Sequence, residues 1–161
     1  MVIEINRGEP LEELLRQDIQ NYLIDEVIRG WIVEEQDERS VSIIELDLSK
    51  VELVTVLSEK EKHTSGKEKL KRLKKRDYIR LDYRVLREMV IGNIIPEKWK
   101  EKMRQEDITK IFFDGTIFRD KKGKRYVSCI RICNNGMGFQ WDFVDMSLDW
   151  FECHPSAVII V

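Results

Sequence analysis

Phe139-Gln140-Trp141-Asp142-Phe143-Val144-Asp145 is the stretch that decides how this chain folds. It alternates with the period of two of a β-strand, placing Phe139, Trp141 and Phe143 on one face and Gln140 and Asp142 on the other. Asn134-Asn135-Gly136 stands just before it, and Asn-Gly suits a two-residue hairpin whose central residues both need φ > 0. Upstream, Tyr126-Val127-Ser128-Cys129-Ile130-Arg131-Ile132-Cys133 reads as a second strand. Ile111-Phe112-Phe113-Asp114-Gly115-Thr116-Ile117-Phe118 reads as a third, joined to the second through a polar loop that contains Gly123. Ala157-Val158-Ile159-Ile160-Val161 is a last apolar strand. Residues 108–161 therefore predict an antiparallel meander of about four to five strands with one hydrophobic face to cover.

The region 10–103 supplies the cover. Pro10 suits a first helical position, and Leu11, Leu14, Leu15, Ile19, Tyr22, Leu23 and Val27 recur at helical spacing before Gly30. This predicts a helix over 10–29. A charged loop over 34–40 and a strand over 41–48 follow. Ser49-Lys50-Val51-Glu52 has the form of a capping box and leans to a helix, although Val54-Thr55-Val56 suits a strand nearly as well. Ser65-Gly66-Lys67-Glu68 is a second box, opening a helix over 67–76 whose only apolar anchors are Leu70 and Leu73. So few anchors predict a largely solvated helix. Asp82 is a good N-cap for a helix over 83–91, and Pro96 starts another over 97–103 with Trp99 and Met103 facing inward. The expectation is one α+β domain over 1–161, its helices covering one face of a C-terminal sheet, with a hinge or mobile loop at 58–68.

The chain has 161 residues and a formal net charge of only −2, so the overall balance names no partner. Its distribution says more. Residues 1–59 carry 5 Lys/Arg against 15 Asp/Glu, whereas residues 60–80 carry 10 against 3. Such a sign change marks either a nucleic-acid patch or an acidic face docked on a basic one. There is no secretory leader pattern at the start, and no uncharged run approaches the roughly 18 residues needed to span a bilayer. Three cysteines without framework spacing point to free thiols in a reducing, cytoplasmic setting.

Four features bear on chemistry. Lys67, Lys69, Lys71, Arg72, Lys74, Lys75, Arg76 and Arg80 crowd one segment, and neutralising phosphates with several accessible cations releases counterions. Tyr78 and Tyr83 are the only aromatics beside them for base stacking. Asp114, Asp142 and Asp145 with Lys110 would form a metal-dependent nuclease site if the strands brought them together. Each also has an ordinary turn or surface reading. Cys129, Cys133, Cys153 and His154 would suit a metal only if they converged, and strand residues four apart lie roughly 13 Å from one another. Finally, Trp150 and Phe151 are adjacent and cannot both face inward from an extended segment, so one of them is expected to mark a partner surface. No phosphate-binding glycine loop, nucleophile elbow, zinc-protease motif or dinucleotide fingerprint occurs, and no cofactor or metal is expected. The reading is a non-enzymatic intracellular binding or regulatory module whose basic helix contacts nucleic acid. The alternatives are a nuclease or phosphoryl-transfer enzyme built on the sheet carboxylates, and a structural subunit contacting a protein partner rather than a membrane.

Overall fold

The computed structural model describes residues 1–21, 28–132 and 138–161. The element order is β1 (Val2–Glu4), α1 (Leu11–Asn21), β2 (Ile32–Gln36), α2 (Glu38–Val41), β3 (Glu45–Asp47), β4 (Val51–Val54), β5 (His63–Ser65), α3 (Gly66–Lys74), β6 (Tyr78–Arg80), α4 (Tyr83–Ile91), α5 (Glu97–Gln105), β7 (Lys110–Arg119), β8 (Arg125–Ile132), β9 (Phe139–Asp145), β10 (Asp149–Phe151) and β11 (Ser156–Ile160). Helices and sheet make an α+β fold. The three long strands β7, β8 and β9 run antiparallel as neighbours, as their alternation predicts. The Asn134–Gly136 hairpin signal and Cys133 lie outside the described residues, as do Tyr22, Leu23 and Val27 of the first helix.

The sheet is larger than the expected meander, and it is mixed. Its order is β4-β11-β7-β8-β9, with β2 paired to β7 and β6 paired to β11, which makes seven strands. The C-terminal β11 enters the middle, meeting β7 in parallel through Ser156 and Phe112 while pairing β4 and β6 antiparallel. Three strands of the first eighty residues thus join a sheet predicted to be C-terminal. The capping-box reading of Ser49 fails for a local reason. Asp47 accepts from the Ser49 backbone N–H at 3.0 Å and holds only a single 3-10 turn over Leu48–Lys50. The β-branched residues beyond it then extend as β4. The strand expected over 41–48 shrinks to β3, because Asp37 caps the short α2 ahead of it. Lysines from α5 blunt the β4 edge: Lys98 Nζ donates to the carbonyls of Ser49 (2.7 Å) and Val51 (2.8 Å), and Lys102 Nζ to that of Leu53 (3.1 Å).

Both faces of the sheet are covered, not one. Along β7, Ile111, Phe113 and Phe118 join the larger core with α1, α4 and α5, while Phe112 and Ile117 join a second cluster with Leu70 of α3 and Trp150 of β10. Alternation supplies both sets from one strand. Asp82 caps α4 through the Arg84 and Val85 N–H groups, and Arg7 pairs with its other oxygen at 2.6 Å. Asp18 fastens α1 onto α4 by accepting from the Tyr83 hydroxyl (3.0 Å) and from Arg87 Nε (2.8 Å).

The register of β7 against β8 breaks between Phe113 and Ile117, which pair with the consecutive Ser128 and Val127. Asp114, Gly115 and Thr116 therefore bulge out of the ladder. The bulge is fully used. The Asp114 carbonyl accepts from Arg80 Nη1 (3.0 Å), the Gly115 N–H donates to Leu81 O (2.8 Å), and the Gly115 carbonyl accepts from the Asp37 N–H (2.8 Å). Thr116 Oγ1 accepts from the Tyr83 N–H at 3.1 Å. A Cβ on Gly115 would sit 2.1 Å from the Arg80 carbonyl oxygen. Gly115→Ala should consequently lower the unfolding free energy by about 3 kcal/mol or more. Gly123→Ala, in an open turn at φ +85°, should cost only about 1 kcal/mol. Denaturant titration of the two variants checks the contrast, and equal losses would contradict the role given to the bulge.

Candidate nucleic-acid interface

Helix α3 forms where its capping box predicts, with the Ser65 hydroxyl accepting from the Glu68 N–H at 3.2 Å. Leu70 and Leu73 point into the protein, as expected. Lys69 follows them inward, and this the pattern does not predict. It is only 3% exposed, its Nζ donates to the His154 carbonyl at 2.9 Å, and it lies 4.6 Å from the ring centres of both Phe112 and Trp150. Those rings stack on each other at 4.0 Å. Burial pulls the Lys69 ammonium down to about 8, against the opposing pull of Asp114. Asp114 is itself buried, and its Oδ2 has no direct hydrogen-bond partner. Lys69 is therefore a structural cation under the helix, not a surface contact.

Other members of the predicted patch are also committed internally. Arg72 donates through Nε to Glu68 (3.0 Å) and through Nη2 to Glu61 (2.9 Å), while Nη1 reaches the Val56 carbonyl (3.1 Å). The Arg72 hydrogen bonds pull the Glu61 carboxyl down to about 2. Arg80 is buried and spent on Asp114 O, Glu35 and Asp37. Tyr83 is buried, and Tyr78 is half-buried with Arg76 6.0 Å over its ring.

What remains on the outer side of α3 is compact. Lys67, Lys71, Lys74 and Lys75 surround a depression of about 410 Å³ with Leu70 at its base and Arg125 of β8 on the far wall. Lys74 pairs with Glu35 at 2.7 Å, and Arg125 with Glu34 at 2.6 Å. Burial opposes ionisation of Glu35, but Lys74 and Arg80 outweigh it and hold that carboxyl below its usual range. Lys71 meets only Glu68, at 3.7 Å on the surface, a pair worth little. Among the described residues no ion pair engages Lys67 or Lys75. Five cations thus meet three acids, Glu34, Glu35 and Glu68, around one concavity. Arg125 is the member that sequence reading missed, because only the pairing of β2 with β7 and β7 with β8 brings it across from α3.

The three carboxylates stand in different settings. Asp114 is enclosed beneath α3, Asp142 pairs with Lys110 at 3.3 Å on β9, and Asp145 sits three residues further on the opposite face, near Lys124 (3.6 Å). Among the described residues no three His, Cys, Asp or Glu side chains are placed to hold a metal ion. The Cys129 thiol is raised above its usual range by burial and stays protonated, and burial beside Lys110 and Lys69 pulls His154 down to about 4. Trp150, expected as a possible partner anchor, is 1% exposed, whereas Phe151 is 45% exposed. The adjacent pair divides as an extended segment requires, with Trp150 buried and Phe151 exposed. Among the described residues no helix is long and apolar enough to cross a membrane.

The Lys69 environment makes a prediction about stability. The folded state holds its proton less tightly than the unfolded chain, so folding releases a proton between about pH 8 and the unfolded value of 10.5. Stability contributed by this site is present above that window and lost as pH falls through about 8. Relative to Lys69→Met, the wild type should gain about 2 kcal/mol between pH 7 and pH 10. Denaturant titrations of both proteins at the two pH values check this, and parallel behaviour would contradict the buried ammonium. Compared with protein-family models, curated proteins and solved structures, the chain matches none of them.

Proposed function

We propose that this chain is a non-enzymatic intracellular binding module that holds the phosphate backbone of a nucleic acid on the outer face of α3. The observation that carries the reading is the convergence of Lys67, Lys71, Lys74, Lys75 and Arg125 on one concavity. Lysines on a solvated helix contribute point charges with little orientational demand, which suits a polyanion more than a single shaped ligand. Glu35, Asp37, Glu61 and Glu68 neutralise Arg72 and Arg80, and Glu35 also engages Lys74, so the surplus positive charge is confined to Lys67, Lys71 and Lys75 on the outer side. That confinement gives the patch a direction. The placing of Asp142 and Asp145 on opposite faces of β9, with Asp142 paired to Lys110, supports binding over cleavage, because phosphoryl transfer needs such groups around one reacting phosphate.

The test is a salt series with labelled DNA and RNA. If about four phosphates are neutralised, log Kd should change with log salt with a slope of about 3. A variant carrying Lys67→Glu, Lys71→Glu, Lys74→Glu and Lys75→Glu should lose at least tenfold in affinity at low salt while keeping its unfolding midpoint within a few degrees. Binding that persists in the variant, or that ignores salt, would contradict the proposal.

A further inference from the structure

We infer that the surface around α3 accepts single-stranded rather than duplex nucleic acid, with one base stacked on Phe151 while the lysines follow the backbone. This rests on the phosphate-binding reading and adds to it the strandedness of the ligand. Phe151 carries the argument. Among the described residues it is the only Phe, Trp or Tyr side chain in the exposed class. A lone exposed apolar residue is ordinary, but this one has a setting. Leu148, 55% exposed, lies just before its strand. The His63 ring lies 5.7 Å away across the strand pair, and the His154 ring 5.8 Å away. His154 Nδ1 accepts from the Phe151 N–H at 3.3 Å. Phe151 is thus an exposed ring bordered by two imidazoles.

The fold places that ring at the head of the lysine row. Phe151 pairs with His63, and Asp149 with Ser65, the residue that caps α3. The Lys67 N–H donates to Met146 O at 3.2 Å, tying the first turn of the helix to the segment leading into β10. From His63 to Lys74 the strand and helix rises sum to a track of about 20 Å. Exposed Lys60 and Lys62 precede His63 in the chain. The negative groups nearby are Asp149, 3.5 Å from His63 Nδ1, and Glu152. Phosphates are accordingly excluded from the aromatic face itself and directed to the lysines. A duplex hides its base faces and has nothing to lay on Phe151, whereas an unpaired base exposes a stacking surface of any sequence.

The experiment measures fluorescence anisotropy of a labelled fifteen-nucleotide oligothymidine and of a duplex of equal length, with wild type, Phe151→Ala and Phe151→Trp. The wild type is expected to prefer the single strand by at least fivefold at low salt. Phe151→Ala should lose about tenfold on the single strand, Phe151→Trp should keep it, and neither should change the salt slope or the duplex affinity. Equal single-strand affinity for wild type and Phe151→Ala, or equal affinity of the wild type for both oligonucleotides, would overturn this inference and leave the lysine face as a general phosphate surface. Failure of the wild type to bind either oligonucleotide would overturn the phosphate reading and this inference with it.

Discussion

The three-residue bulge in β7 is the constraint on which the arrangement depends. A regular strand would present its groups only to the strands on either side. By leaving the ladder at Asp114, Gly115 and Thr116, β7 offers carbonyls, an N–H and a hydroxyl to Asp37, Arg80, Leu81 and Tyr83 instead. The turn from β6 into α4, the cap of α2 and the central strand are thereby locked at one point, and only glycine lets the Leu81 backbone come that close. The bulge also turns the Asp114 carboxyl to the side on which α3 lies. One local irregularity thus sets the position of the large core and of the charged layer beneath the basic helix.

That layer explains how a helix with two apolar anchors is held. Lys69 spans Phe112, Trp150 and the His154 carbonyl, and Arg72 fastens the helix to Glu61 and Val56. Cations therefore do both jobs on α3. Of those facing inward, Lys69 is desolvated and Arg72 is ion-paired, which makes both unavailable to a ligand. Those facing outward keep their hydration and lie within a Debye length of one another, so their fields add toward an approaching polyanion. The docking of acidic residues on basic ones accounts for the inward cations, and the proposed nucleic-acid contact rests on the outward ones.

Sequence periodicity revealed the long strands, the caps at Ser65 and Asp82, and the inward Trp99 and Met103, because each depends on near neighbours. It missed β2, β4 and β6 as members of the sheet. These are three to five residues long and pair with partners 78 or more residues away, for which no local signal exists. The candidate site was half legible. The lysines are visible as a run, but helical phase alone could not show that Lys69 and Arg80 turn inward, since a buried cation needs tertiary partners to be tolerated. Arg125 was out of reach for the same reason as the short strands. The division of Trp150 from Phe151 followed from extended geometry alone, but which of the two is buried depends on Phe112 lying beneath Trp150.

Backbone amide chemical-shift mapping during titration with a short single-stranded oligonucleotide tests the account most directly, because it reads location and not merely affinity. Perturbations should concentrate at Lys67, Lys71, Lys74, Lys75, Arg125 and Phe151 and leave the α5 and β4 edge unchanged. Shifts centred instead on the α5 side, or spread evenly over every lysine and arginine of the surface, would contradict a built site on α3.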